Sequence, residues 1–269
     1  MYKKFIKPLA EKTILPKHPI LRLYTYYMRN IQGNKGINIS NEDWDNLIIL
    51  DACRFDIFEQ ISTIPGNLNR KVSKGSATME FVQKNFTDKH HDIVYVTANP
   101  TVDKHLQTDQ FHAIVRAWDT HWNEKKGTVL PSDMAEVTLD TYKKYPNKRI
   151  ISHFIQPHQP FIGEIGDKIY QSSEFGSTLR GHRDTALGDS PDWSRYGKNV
   201  YTGLFDGKID PELIWRGYKE NLELTLPYVE KLCRQMDGLS VVSSDHGNIF
   251  SQPKYQYLTK HPRLAVSAA

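Results

Sequence analysis

Leu47-Ile48-Ile49-Leu50 is a short apolar run that ends at Asp51, and Leu239-Ser240-Val241-Val242-Ser243-Ser244 is a second that ends at Asp245-His246-Gly247. Apolar runs of this length are typical of buried parallel strands. Because ligands of open α/β sheets bind beyond the carboxyl ends of such strands, Asp51, Asp245 and His246 are expected to meet at one sheet edge. Two carboxylates and an imidazole there predict a divalent-cation site, and this donor set suits zinc or manganese.

Each acidic residue also has a simpler interpretation. An Asp at a strand end often only caps the next helix or forms a turn. The Asp245-His246-Gly247 triplet favours the metal site, because it places two ligand types side by side and follows them with a residue that permits close backbone approach.

Strand and helix patterns alternate along the chain, which predicts an α/β fold with a mostly parallel central sheet and helices on both faces. Further strands are predicted at residues 93–97 and 149–155. Helices are predicted at residues 55–61, 79–86, 132–144 (with Ser132 or Asp133 as cap) and 210–236 (with a kink at Pro227). Residues 1–45 are interpreted as an N-terminal arm that packs on or precedes the domain of residues 46–269, and residues 163–207 as a long irregular loop.

Composition indicates an ordinary soluble protein. The chain has 269 residues, 39% of them hydrophobic and 25% charged, which suits one large domain with or without a small appendage. It contains no run of about 18 apolar residues and no secretory signal pattern, so the expected location is the cytoplasm, with or without membrane association. Cys53 and Cys233 are expected to be small buried hydrophobes rather than a disulfide.

The net charge of +4 comes largely from an excess of basic residues near the start of the chain. Such a segment could contact an anionic membrane surface or an acidic polymer, and a solvated basic arm is the alternative. The chain has neither zinc-finger spacing nor an aromatic-basic RNA-binding pattern, so no nucleic-acid partner is expected.

Several motifs resemble the alkaline phosphatase superfamily, especially its sulfatase-like branch. The segment 51–56, Asp-Ala-Cys-Arg-Phe-Asp, is similar to the first metal-binding strand of that branch, and the segment 244–247, Ser-Asp-His-Gly, to its second metal motif. Residues 153–161 are similar to its His-x-Pro-aromatic segment, and residues 260–262 to its late histidine. These motifs occur in the family order from residue 47 to about residue 262.

The resemblance implies a metal held by Asp51, Thr78, Asp245 and His246, with manganese or zinc favoured and magnesium or calcium as alternatives. It also implies a hydroxyl nucleophile at a helix start. Thr78 fits that place best and Ser76 is the close competitor, while the simpler interpretation is that both only cap the helix.

The resemblance further implies that His158 donates to the transferring group or its leaving oxygen, and that His158, His261 and Arg54 contact the substrate. Arg54 could instead pair with Asp56. The interpretation of His153 stays open between a structural residue of its strand and part of the family's histidine segment.

The implied activity is that of a metal-dependent phosphohydrolase or phosphotransferase acting on phosphate monoesters or diesters of a small molecule, glycan or lipid. A sulfatase is one alternative, but the chain lacks the Cys-x-Pro-Ser-Arg or Ser-x-Pro-Ser-Arg segment of those enzymes. A non-catalytic sulfatase-like module that binds an anionic glycan or lipid head group is the other.

Overall fold

The computed structural model describes residues 36–103, 105–106, 109–171, 174–248 and 263–268. The chain divides into two compact units, residues 1–35 and residues 36–269. Most of the predicted N-terminal arm therefore lies outside the described residues. Its last part, residues 36–45, belongs to the second unit, where the Trp44 indole is buried and donates a hydrogen bond to the Ile39 carbonyl oxygen at 2.8 Å.

The described part of the second unit contains one seven-stranded sheet and one two-stranded sheet. The strands are β1 (Asn46–Leu50), β2 (Asn67–Val72), β3 (His90–Thr97), β4 (Phe111–Arg116), β5 (Trp122–Asn123), β6 (Thr128–Val129), β7 (Arg149–Phe154), β8 (Ser240–Ser243) and β9 (Arg263–Ala268). The order in the large sheet is β2-β9-β8-β1-β7-β3-β4, and β5 pairs with β6. The strands from β8 to β4 run parallel, whereas β9 runs antiparallel to both of its neighbours, β8 and the edge strand β2. The predicted mostly parallel sheet is confirmed.

Helices cover both faces of this sheet. They are α1 (Phe55–Ile61), α2 (Thr78–Asn85), α3 (Pro100–Asp103), α4 (Ala117–Thr120), α5 (Pro131–Lys144), α6 (Glu164–Tyr170), α7 (Leu179–Ala186), α8 (Val200–Phe205) and α9 (Pro211–Gln235). In β1, Ile48 and Leu50 enter one hydrophobic cluster while Leu47 and Ile49 enter the other. Both faces of β1 are therefore buried, which explains why its sequence is continuously apolar rather than alternating.

The segment 163–207 differs from the predicted irregular loop. It contains α6, α7 and α8 together with a 3₁₀ helix at Trp193–Tyr196. Each helix is no longer than eight residues, so few positions are buried and no periodicity emerges from the sequence. Local caps mark two of them, since the side chains of Asp192 and Asn199 accept hydrogen bonds from the Ser194 and Tyr201 backbone N–H groups.

The two longest helices begin close to their predicted starts. Helix α5 begins with Pro131 at its first turn, and its N-cap Leu130 makes no side-chain cap, so neither Ser132 nor Asp133 caps it as predicted. Helix α9 begins after Asp210, whose side chain caps the Glu212 N–H at 2.9 Å, and it contains Pro227. No helix within the described ranges is both long enough and apolar enough to cross a membrane.

Candidate metal centre

Parallel register brings several polar residues together at the carboxyl edge of the sheet. Ile49 lies beside Ser243 of β8 and His153 of β7, and His153 lies beside Thr97 of β3. Asp51, Asp245 and Asn99 each lie two residues beyond this row, just after the ends of β1, β8 and β3. The predicted meeting of Asp51 and Asp245 therefore follows from strand order and register.

Three buried residues at this edge form a possible cation-binding group. One ligand atom from each of Asp51, His153 and Asp245 lies within 4.8 Å of those of the other two. Within the described residues, Asp51 Oδ1, Asp245 Oδ2 and His153 Nε2 are buried and take part in no hydrogen bond. A buried polar atom without a partner costs about 1–3 kcal/mol, and more for a charged group. These three atoms have the chemistry that zinc or manganese requires, so the residues fit a divalent cation.

His246 and Thr78 adjoin the same carboxylates. His246 Nε2 lies 3.6 Å from Asp51 Oδ1 and 3.5 Å from Asp245 Oδ2. Thr78 Oγ1 donates to Asp51 Oδ2 at 3.3 Å and lies 3.4 Å from His246 Nε2. The four residues that the family resemblance implies as metal ligands are thus brought together, and the structure adds His153 to them.

Thr78 is the first residue of α2, and the loop before it is tied to the Asp245 strand end. The N-cap Ala77 makes no side-chain cap, and the Thr78 hydroxyl is directed at Asp51 rather than at its own helix. Ser73 Oγ donates to the Asp245 carbonyl oxygen and accepts from the Gly75 N–H. A Cβ on Gly75 would lie 2.4 Å from the Phe81 backbone nitrogen, so only glycine permits this loop to pack against α2.

Ser76 does not reach the carboxylates. It is exposed, and its hydroxyl and backbone N–H both donate to Glu80 Oε2, at 2.6 and 2.8 Å. The Ser76 hydroxyl accepts no backbone N–H of α2, whose N-cap is Ala77, so the simpler interpretation that Ser76 caps the helix does not hold. The structure therefore separates the two candidate nucleophiles by position.

The electrostatics of the acidic pair favour a positive partner. Burial, and secondly the Asp245 carboxylate, raise the pKa of Asp51 well above its usual range. Burial also raises the pKa of Asp245, but His246, His153 and the Ala52 N–H together hold it below its usual value. Without a cation, Asp51 therefore tends to keep a proton. A bound divalent cation would favour the ionised form of both Asp51 and Asp245.

His153 is the site residue whose place the sequence left open. It is fully buried, and burial lowers its pKa to about 4, so the ring is neutral at pH 7. Its Nδ1 lies 2.8 Å from the hydroxyl of Tyr95 on β3. If Nδ1 carries the proton and donates to Tyr95, Nε2 presents a lone pair to Asp51 and Asp245, which is the form that binds a metal.

We expect Tyr95→Phe to weaken zinc binding about tenfold, because the hydroxyl that orients His153 is lost while the ring still fills the same space. Competition with a chromophoric chelator measures the affinity. Unfolding of the variant in excess chelator separates this effect from a loss of core stability. Unchanged zinc affinity would remove His153 from the set of ligands.

Arg54 takes the alternative that the sequence left open. Its Nε and Nη2 donate to the two carboxylate oxygens of Asp56 at 2.9 and 2.5 Å, and Nη1 donates to the Asn248 carbonyl oxygen at 3.2 Å. The guanidinium also lies over the Trp215 ring, 5.3 Å from its centroid. Its charge is largely matched by Asp56, so the predicted substrate contact would require this pair to open.

His158 lies on the loop after β7, and its backbone N–H donates to the Asp51 carbonyl oxygen at 3.1 Å. Its Nδ1 donates to the Gln159 carbonyl oxygen at 2.8 Å. Burial lowers the pKa of His158 to about 4, so at pH 7 the ring is neutral and Nε2 carries a lone pair. In this state Nε2 accepts a proton rather than donating one. His261 lies outside the described residues.

Asn99 and the cysteines complete the neighbourhood. Asn99 Nδ2 donates to Asp51 Oδ2 at 2.9 Å, and only its position after the β3 strand could have indicated this role. Cys53 and Cys233 are free, the first buried and the second half-buried. Burial raises the pKa of Cys53, which keeps it an unreactive thiol as predicted.

Comparison with solved structures identifies the architecture. The soluble domain of lipooligosaccharide phosphoethanolamine transferase A from Neisseria meningitidis is similar, with a TM-score of 0.52 and 13% identity over 83% of this chain and 75% of that one. This chain has the alkaline phosphatase superfamily fold. The resemblance predicted from its motifs is thereby confirmed. No protein-family model and no curated protein matches the sequence.

Two further structures match this superfamily fold with lower scores. The C-terminal periplasmic domain of EcEptC from Escherichia coli, in complex with Zn, has a TM-score of 0.45 and 13% identity over 87% of this chain and 76% of that one. Phosphonate monoester hydrolase SpPMH from Silicibacter pomeroyi has a TM-score of 0.46 and 12% identity over 83% and 67%.

The predicted cytoplasmic location, with or without membrane association, is contradicted by these comparisons. The similar structures include a periplasmic domain and the soluble domain of a lipooligosaccharide transferase, so they do not support a cytoplasmic location. The prediction had relied on the missing signal pattern and missing apolar run, and these absences do not establish a location.

Proposed function

We propose that this protein is a metal-dependent phosphotransferase or phosphohydrolase that uses Thr78 as its nucleophile. The observation that carries the proposal is the position of Thr78 Oγ1, 3.3 Å from Asp51 Oδ2 at the edge of a buried group with three unsatisfied ligand atoms. A hydroxyl that only capped its helix would not be directed at a buried carboxylate. The similar structure from Neisseria meningitidis is also that of a phosphoethanolamine transferase.

Each carboxylate oxygen of Asp51 has a separate part in this proposal. Oδ2 accepts hydrogen bonds from Thr78 and Asn99, whereas Oδ1 has no hydrogen bond and lies 3.6 Å from His246 Nε2. Asp51 and Asp245, with His246, Thr78 or His153, would hold the cation. A bound divalent cation supplies positive charge that lowers the pKa of a coordinated hydroxyl and offsets phosphate charge.

The proposed reaction has two displacements at phosphorus. Thr78 Oγ1 gives its proton to Asp51 Oδ2 and bonds to phosphorus, while the bond from phosphorus to the departing alcohol oxygen breaks and that oxygen takes up a proton from solvent. In the second displacement a water or an acceptor alcohol bonds to phosphorus, and the Thr78 oxygen leaves and takes back the proton from Asp51 Oδ2. His158 Nε2, as a lone-pair acceptor, is suited to take the proton of that attacking group.

For the substrate we propose a phosphate ester on a lipid or glycan head group. The support is the similar structure of a lipooligosaccharide phosphoethanolamine transferase. Phosphate is favoured over sulfate because the segment 76–80 carries an unmodified Thr78 and no cysteine. The metal we favour is zinc or manganese, with magnesium or calcium as alternatives.

The test is turnover of 4-nitrophenyl phosphate, bis(4-nitrophenyl) phosphate, a phosphonate monoester and 4-nitrophenyl sulfate by metal-stripped protein, restored with zinc, manganese, magnesium or calcium in turn. We expect metal-dependent release of nitrophenol from a phosphorus ester. Turnover of the sulfate alone would replace the proposal by a sulfatase. Zinc binding without turnover of any ester, even with acceptor alcohols added, would favour the non-catalytic binding module.

A further inference from the structure

Helix α9 directs two buried polar side chains at the loops that carry the candidate site. Tyr218 and Asn221 are fully buried and three residues apart, so they lie on the same face of the helix. Neither belongs to a motif that suggested function, and neither is a ligand or nucleophile. Each nevertheless makes hydrogen bonds to the backbone of a different loop of the site.

Tyr218 closes the turn that follows β1. Its hydroxyl donates to the Ala52 carbonyl oxygen at 2.8 Å and accepts from the Arg54 N–H at 2.8 Å. Ala52 has a φ of +59°, the left-handed conformation that residues other than glycine rarely adopt. A strained residue of this kind persists only where its surroundings hold it in place.

The left-handed turn has a direct effect on the acidic pair. It directs the Ala52 N–H to Asp245 Oδ1 at 2.8 Å and the Cys53 N–H to Ser244 Oγ at 2.8 Å. These bonds link the ends of β1 and β8 immediately beside Asp51. A change in the turn would therefore change the separation of the two carboxylates.

Asn221 holds the loop that follows β7. Its Nδ2 lies within hydrogen-bond distance of the carbonyl oxygens of Pro157, His158 and Pro160, at 3.3, 3.0 and 3.1 Å. Its Oδ1 accepts from the Ile162 N–H at 2.7 Å. A single amide thus accepts one backbone N–H and shares its two N–H donors among three carbonyl oxygens of the segment that carries His158.

We propose that Tyr218 and Asn221 are positioning residues, through which α9 fixes the Asp51 turn and the His158 loop in the geometry of the active site. The assignment rests on the proposed function of that site. Tyr218 acts on the cation-binding carboxylates and Asn221 on the His158 side. Substitution of Tyr218 should therefore change zinc affinity and kcat, whereas substitution of Asn221 should change kcat or KM and leave zinc affinity nearly unchanged.

Tyr218→Phe removes one oxygen atom and keeps the ring that packs against Trp215, whose centroid lies 6.0 Å away. We expect zinc affinity to fall about tenfold and kcat for bis(4-nitrophenyl) phosphate to fall at least as much, with KM changed by less than about threefold. Adding Ala52→Gly to Tyr218→Phe should raise zinc affinity several-fold over that of Tyr218→Phe alone, because glycine adopts the left-handed conformation without strain.

Tyr142→Phe is the matched control. The Tyr142 hydroxyl also accepts a backbone N–H, that of Asp237 at 3.0 Å, and donates to Asp237 Oδ2 at 3.3 Å. This substitution removes the same kind of interaction from a connection at the other end of β8. Its zinc affinity, kcat and KM should equal those of wild type.

Asn221→Ala should lower kcat or raise KM about tenfold while zinc affinity stays within about twofold of wild type. Wild-type zinc affinity and turnover for Tyr218→Phe, with stability lowered only as in Tyr142→Phe, would overturn the positioning role and leave the proposed function intact. Absence of zinc binding and turnover in the wild-type protein would overturn the proposed function and, with it, this inference.

Discussion

Thr78→Ala is expected to lower kcat on phosphate esters by about 10³-fold or more while the protein still binds zinc. The substitution removes the only described hydroxyl that donates to the Asp51 carboxylate, and with it the atom that would bond to phosphorus. Asp51, Asp245, His246 and His153 remain to bind the cation. Steady-state turnover of the best chromogenic ester, beside a zinc titration of the same sample, measures both quantities.

Two variants in the same loop provide the controls. Thr78→Ser keeps a hydroxyl at the first position of α2 and should retain activity within about tenfold of wild type. Ser76→Ala removes the nearby hydroxyl that donates to Glu80, and should leave kcat within about threefold. It should also lower the free energy of unfolding by about 0.5–1 kcal/mol, since the hydrogen bond from its hydroxyl to the Glu80 carboxylate is lost.

A phospho-enzyme provides a second and independent measurement. Acid quenching during turnover should trap one phosphoryl group per chain, which keeps its second ester group when the donor is a diester. Peptide mass spectrometry should locate it at position 78 both in wild type and in the Thr78→Ser variant. Phosphate on Ser76, or full activity in Thr78→Ala, would contradict the assignment. Direct attack by water without a covalent step would leave no phosphate at either position.

The sequence alone could not distinguish Thr78 from Ser76 as the candidate nucleophile. Both residues precede the same helical pattern, and their spacing from Asp51 differs by two residues. The packing of Gly75 against α2 and the bond from Ser73 to the Asp245 carbonyl fix the direction of the loop. Those are contacts between distant segments, and no local pattern encodes them.

The central strands could be predicted because burial on both faces favours apolar runs, such as Leu47–Leu50 in β1 and the Val241-Val242 pair in β8. The edge strand β2 could not, because four of its six residues are exposed and its sequence, Asn-Leu-Asn-Arg-Lys-Val, is mostly polar. His153 lies within a strand that was predicted, but its proximity to Asp245 depends on the β1 and β7 register. Tyr218 and Asn221 fit the pattern of an ordinary amphipathic helix, so nothing in the sequence distinguished them from its other residues.

Asp51→Asn is expected to make the metal-free protein more stable than wild type and the zinc-loaded protein less stable. Burial and the Asp245 carboxylate raise the pKa of Asp51, so the folded protein holds this proton more tightly than the unfolded chain does. A group shifted in this direction lowers stability as pH rises above the ordinary carboxyl pKa of about 4, until the folded pKa is passed. The amide of the variant does not titrate, so the stability of the variant does not fall in this way as the pH rises.

At pH 8 in excess chelator, the free energy of unfolding of Asp51→Asn should exceed that of wild type by about 1–3 kcal/mol, because the variant has no buried carboxyl group that is ionised more easily in the unfolded chain than in the folded protein. In a protein of this size each kcal/mol raises the melting temperature by about 2–4 °C. With zinc at about 1,000 times its dissociation constant, wild type should gain about 4 kcal/mol and become the more stable of the two. Thermal unfolding with zinc and with chelator, from pH 5 to pH 8, measures both differences.

Asp56→Asn is the matched control for this reversal, since it makes the same substitution five residues away at an exposed carboxylate. Hydrogen bonding from Arg54 lowers the pKa of Asp56. Loss of the Asp56 charge should therefore give no gain of stability in chelator, and the zinc-induced rise in stability should stay the same as in wild type. A zinc-induced rise in Asp51→Asn equal to that of wild type would show that zinc binds elsewhere. A loss of stability in metal-free Asp51→Asn would show that the Asp51 charge is already compensated within the fold, and the unsatisfied Oδ1 would then not indicate a cation site.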